Sequence, residues 1–156
     1  MSRQIFAAAA LVLAVPTLAA CGGDAPTEEA GVPGVTVSNA RMVLAPVAGN
    51  PAAIYFDLSY DSDRPLALSR ASVKGAESAV IHKYGMWNEQ EQMVEASRMT
   101  LNKGETVKFE PGGLHVMAMN PSPELKAGGS TDMTLHFSGG KEEVVPVTIQ
   151  AAGEDR

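Results

Sequence analysis

Four side chains in this sequence could hold one soft metal ion together: His82, Met93, His115 and Met117. Their spacing is H-x10-M-x21-H-x-M. Imidazole nitrogen and thioether sulfur are both neutral donors. Thioethers are poor ligands for zinc, calcium or magnesium and good ones for Cu(I). Two imidazoles and two thioethers leave Cu(I) with its single positive charge, while Cu(II) would lack the hard or anionic donors it prefers. The set favours the reduced ion, and without a thiolate it can release metal by ligand exchange. Blue-copper electron transfer normally needs a Cys thiolate in the site. The only cysteine here is Cys21, close to the N-terminus, which argues against an electron-transfer role. Taken singly, a strand histidine is most often structural and a methionine most often core filler. The joint pattern is what points to a site. Met86 and Met119 are spare thioethers, each a candidate auxiliary ligand, a foothold for metal transfer or packing, with packing the first expectation for Met86. Met99 and Met133 read as core, and His136, opposite Leu135 and Phe137, as surface.

The elements that must position these donors read as strands. His115, Met117 and Met119 alternate with Leu114, Val116 and Ala118. Alternate strand residues share one face, about 7 Å apart at Cα. His115 and Met117 can therefore converge while Leu114 and Val116 anchor the strand. His82 lies in a second short strand, Ala79-Val80-Ile81-His82, and Met93 at the far end of a polar loop that carries Tyr84 and Trp87. Trp87, next to Met86, could shield the sulfurs from water. Elsewhere the period is also two. Ile54, Phe56, Leu58 and Tyr60 alternate with more polar neighbours, and Leu66/Leu68, Val107/Phe109, Leu135/Phe137 and Val145/Val147/Ile149 repeat the pattern. Turns are marked by Asp61-Ser62-Asp63, Asn102-Lys103-Gly104, Pro111-Gly112-Gly113 and Gly139-Gly140. No long amphipathic helix is expected after the first twenty residues. Short strands at this spacing predict an all-β sandwich or barrel in a single domain.

The N-terminus reads as a targeting segment. Arg3 precedes an apolar stretch from Ile5 to Val15, and Leu18-Ala19-Ala20-Cys21 has the form of a lipobox. The expected organisation is a lipoprotein signal peptide over 1–20, a lipid-anchored tether over 21–34, a copper-binding β-domain over 35–152 and a tail over 153–156. Cleavage before Cys21 would leave its thiol to be acylated. Several acyl chains on one residue anchor firmly. The segment GGDAPTEEAGVPG that follows is too polar and Pro/Gly-rich to bury a core. A lone cysteine excludes an intramolecular disulfide. The domain is long enough to be held by its core, burying about two-thirds of its unfolded surface. The net charge of −6 lacks the basic footprint that nucleic acid requires.

The four-residue signature resembles that of the periplasmic copper(A) chaperones, the PCu(A)C family. So do Asn39-Ala40-Arg41 with Pro46, the run Ala53-Ile54-Tyr55-Phe56, and the turn before His115. The likeness runs from Thr36 to Gln150. It implies a cupredoxin-like Greek-key β-domain that binds one Cu(I) near its surface through His82, Met93, His115 and Met117. It also implies a non-enzymatic role: an extracytoplasmic metallochaperone on the periplasmic side of the cell envelope, supplying an apo-cuproprotein such as the CuA or CuB centre of cytochrome c oxidase. The chain departs from the family pattern between His82 and Met93, where Glu/Gln-rich positions replace simpler turns. It also lacks an Arg-Pro pair after Met93. Copper storage or detoxification is the alternative role. A zinc hydrolase with Glu89, Glu91 or Glu95 as base is a further one, disfavoured because zinc sites prefer His, Cys and carboxylate donors.

Cys21→Ser is expected to move the protein out of the membrane fraction or leave it unprocessed, as read by fractionation and mass spectrometry. A Cys21→Ser protein that is still processed and stays with membranes would contradict the lipid-anchor reading.

Overall fold

A computed structural model describes residues 31–154, without the side chains of Trp87 and Glu91. Cys21 and the lipobox lie outside the described residues. Ten strands form one continuous sheet: β1 (Val35–Val43), β2 (Ala52–Tyr60), β3 (Leu66–Val73), β4 (Ser78–Trp87), β5 (Gln90–Glu95), β6 (Met99–Leu101), β7 (Glu105–Phe109), β8 (His115–Met119), β9 (Ser130–Phe137) and β10 (Lys141–Gln150). Their order is β5-β4-β8-β2-β1-β10-β9-β3-β6, with β7 on β2. The described residues contain no helix.

The sheet doubles over on its own apolar face. In β2 burial alternates without exception: Ala52, Ile54, Phe56, Leu58 and Tyr60 point inward, and the residues between them outward. The same strand splits its partners, with Ala52–Ile54 paired to β8 and Phe56–Tyr60 to β7. β3, though distant in strand order, packs across the core against β4 and β8. The two layers enclose Met42, Leu68, Leu101, Val116, Met133, Leu135 and Val147, all fully buried. Val32, ahead of β1, belongs to this core and donates its backbone N–H to Glu143. At the centre Phe56 and Phe109, paired across β2 and β7, stack with ring centroids 4.0 Å apart. The expected all-β architecture is what forms, and all four expected turns fall between strands. Met133 is core, and Met99 packs partly buried against it.

One irregularity bears on the site. β1 shifts register between Ser38 and Arg41, where Asn39 adopts φ 57°. Asparagine tolerates this left-handed conformation better than most residues. Its amide donates to the Asp57 carboxylate at 2.7 Å, which pins the bulge to β2. Beyond the bulge Arg41 lies opposite Tyr55.

Phe56→Ala is expected to destabilise the domain by about 3–5 kcal/mol, the usual cost of truncating a buried phenylalanine. Urea unfolding of the domain tests this. A loss below about 1 kcal/mol would contradict the placement of the stacked pair at the packing centre.

Candidate metal centre

The site is built by strand register. β4 and β8 pair antiparallel with Ile81 opposite Val116 and His82 opposite His115. Ile81 and Val116 are buried in the core. Successive strand residues face opposite sides, so His82 and His115 project together from the outer face. Met117, opposite Val80, shares that face. On the other flank β5 places Glu95 opposite His82 and Met93 opposite Tyr84. His82 is thus central: His115 lies directly across from it, and Met117 and Met93 are its diagonal neighbours on either side. Diagonal positions are about 7–8 Å apart, within reach of long side chains. Met93 is two strand spacings from β8, roughly 10 Å, and meets His115 or Met117 only by reaching over β4.

The two imidazoles stand edge to face with centroids 5.9 Å apart. With metal–nitrogen bonds of about 2 Å, two rings sharing one ion need centroids roughly 5–6 Å apart. His115 is only 4% exposed although it lies on the outer face. Tyr55 and Tyr84 account for this, with ring centroids 6.4 and 6.1 Å from the imidazole. Arg41 lies over the Tyr55 ring at 5.1 Å, so the β1 bulge supports the wall of the site. Sequence reading did not assign Tyr55 to the site. Its outward position in the alternation of β2 was the available signal.

Both rings are set up to offer a lone pair. His115 Nδ1 lies 2.9 Å from the carbonyl oxygen of Gly113. A carbonyl only accepts, so Nδ1 carries the proton and Nε2 the lone pair in the neutral ring. Gly112 adopts φ 78°, a conformation that favours glycine, within the turn that presents this carbonyl. His82 Nδ1 is buried with no hydrogen-bond partner among the described residues. A buried polar atom is normally paired, so this nitrogen fits a ligand position. Burial lowers the His82 pKa, and the neighbouring His115 lowers it further, while Glu95 opposes both.

The remaining candidates separate clearly. Met119 shares the outer face two residues beyond Met117 and is half-buried. Met86 shares it two residues beyond Tyr84 and is 70% exposed. The segment expected to be a loop before Met93 is a β-hairpin. β4 runs on to Trp87, and β5 returns after a two-residue turn, Asn88-Glu89, with φ 50° and 61°. Its outward position aside, His136 is not freely solvated. It bridges Ser72 Oγ at 2.9 Å and Glu142 at 2.8 Å in the opposite layer. Among the described residues no three His, Cys, Asp or Glu side chains converge.

Comparison with known proteins agrees with this architecture. Residues 35–149 match the family described as "Putative lipoprotein LpqE-like". A protein named "Putative lipoprotein Lxx21020" from Leifsonia xyli subsp. xyli is 33% identical over 118 residues, 75% of this chain and 70% of its own length. Among solved structures, the copper-bound PCuAC domain from PmoF2 aligns with a TM-score of 0.64 at 20% identity, over 78% of this chain and 96% of its own. The Cu(I) form of DR1885 from Deinococcus radiodurans aligns with a TM-score of 0.61 at 25% identity, over 83% and 87%. The expected likeness to PCuAC domains and the cupredoxin-like fold are borne out.

The lowered His82 pKa has a direct test. In the apo domain the ring is expected to titrate below the usual 6.5. The neutral form is then favoured by folding, so this group contributes stability above pH 6.5 that is lost as pH falls through its folded pKa. Histidine NMR titration reads the midpoint. A value above 6.5 would mean that Glu95, rather than burial and His115, dominates.

Proposed function

Since the chain belongs to the LpqE-like lipoprotein family and has the fold of PCuAC domains, we propose that it is an extracytoplasmic Cu(I)-binding metallochaperone. Four donors hold the ion: His82, Met93, His115 and Met117. One observation carries the reading. His82 and His115 face each other on the outer face, one nitrogen buried without a partner, with two thioethers on the flanking diagonals. The donors are soft and neutral, which suits Cu(I). The copper-bound relatives support the choice of metal. The domain has an extended apolar core of its own, which is compatible with copper as cargo rather than as a structural staple.

The site's location suits transfer. It lies on a sheet face rather than in the core, and its outermost ligand sits on the edge strand β5. A partner's donors can approach without unfolding the domain. The recipient we propose is an apo-cuproprotein, specifically the CuA or CuB centre of cytochrome c oxidase. Anchoring through acylated Cys21 would hold carrier and membrane-bound recipient at high effective concentration. Among the described residues no helix is long and apolar enough to cross a membrane.

The domain is expected to bind one equivalent of Cu(I) in competition with a Cu(I) chelator, and Cu(II) far more weakly. His115→Ala and Met117→Ala should each weaken binding by about tenfold or more, about 1.4 kcal/mol or more. His136→Ala, in the opposite layer, should change nothing. Equal preference for Cu(II) or Zn(II), or a dominant effect of His136→Ala, would overturn the ligand assignment. Delivery is read by mixing the loaded protein with a purified apo-CuA domain. Tight Cu(I) binding without transfer would contradict the recipient.

A further inference from the structure

The outer face holds two thioethers that the four-ligand site does not use, Met86 and Met119. Met86 lies on β4 four residues beyond His82, hence on the same face. It pairs opposite Glu91, which makes it the diagonal neighbour of Met93. Exposure rises steadily outward along this line. His115 is 4% exposed, His82 is half-buried, Met93 is 43% exposed and Met86 is 70% exposed. A methionine this exposed gives up the burial that usually explains its presence in a fold. Its neighbours do not bury it either, because the hairpin extends β4 and β5 past the rest of the sheet: β8 pairs β4 only as far as His82. The tip is closed by two residues in left-handed conformation, the geometry of a tight hairpin turn. Met86 therefore stands on a defined strand rather than in a loop.

Resting on the Cu(I) reading above, we propose that Met86 is a transient ligand that carries Cu(I) between the buried donors and an incoming partner. It is the exit position of the site. Cu(I) moves outward by associative exchange. A Cu–S bond to Met86 forms while Met93 still holds the ion, and the bonds to His115 and Met117 then break. No electron or proton is exchanged, because every donor is neutral and copper stays Cu(I). The partner completes the sequence by adding its own nitrogen or sulfur donors from the β5 edge as the bonds to His82, Met93 and Met86 break in turn. Met119, the other spare thioether on this face, lies beyond Met117 on the opposite flank and is half-buried. It sits away from the exposed hairpin and takes no part.

Met86→Leu keeps size and apolarity and removes the sulfur. Two readouts are needed: equilibrium Cu(I) affinity by chelator competition, and the stopped-flow rate of Cu(I) loss to excess bicinchoninate. Met86→Leu is expected to leave affinity within about twofold and to slow exchange by about threefold or more, roughly 0.7 kcal/mol in barrier. Met119→Leu should leave both unchanged. On partial Cu(I) loading, the Met86 methyl resonance in a methionine-methyl-labelled sample should shift or broaden. A wild type that takes up no Cu(I) overturns the functional reading and this inference with it. A wild type that binds, with Met86→Leu exchanging at the same rate, overturns the exit role alone. Loss of affinity in Met86→Leu overturns it too, by making Met86 a resident ligand.

Discussion

The pairing register of β4 on β8 is the constraint on which the rest depends. It sets Ile81 opposite Val116 toward the core, and His82 opposite His115 away from it. A slip of one residue would exchange the two faces. It would put a histidine in the core and expose Ile81. Each such aliphatic side chain contributes about 1.5–3 kcal/mol by its burial. Losing two or three of them would consume much of the 5–15 kcal/mol that holds a typical domain together. The apolar face thus fixes the geometry of the polar one. His82 and His115 need no metal to be brought together, because packing on the far side of the sheet already does so.

Electrostatics continue the same logic. The outer face places two imidazoles close together, walls them with Tyr55 and Tyr84, and leaves one nitrogen without a partner among the described residues. Burial and mutual repulsion hold His82 toward its neutral form. A protonated ring cannot ligate a metal, so a ring held neutral keeps a lone pair free to do so. Glu95, opposite His82, moderates the effect. In the proposed site, neutral thioethers would complete the donor set without the strong hold of a thiolate. Binding that can be undone by exchange is what a carrier requires.

Much of this was legible in the sequence, for definite reasons. Strict alternation in β2 and at His115-Val116-Met117 follows directly from the pleat, and Gly, Asn and Asp mark the turns between strands. The family likeness followed from a signature with three fixed gaps. The β4–β5 hairpin was not legible. Its turn, Asn88-Glu89, lacks glycine, and β5 reads Gln-Glu-Gln-Met-Val-Glu, with the composition of a loop. Its strand character comes from pairing with β4, a tertiary effect that overrides weak propensity. Tyr55 was hidden for a related reason. Nothing local shows that β2 lies beside β8, so its approach to His115 emerges only from the fold. The tie between His136, Ser72 and Glu142 likewise depends on β3, β9 and β10 lying side by side.

The central claim is that His82, Met93, His115 and Met117 surround one Cu(I). X-ray absorption at the copper K-edge of the Cu(I)-loaded domain tests it most directly. The account predicts a Cu(I) edge and a first shell of two nitrogen and two sulfur scatterers, with one sulfur lost in Met93→Leu. A shell of nitrogen and oxygen alone, or a sulfur count unchanged by Met93→Leu, would contradict it.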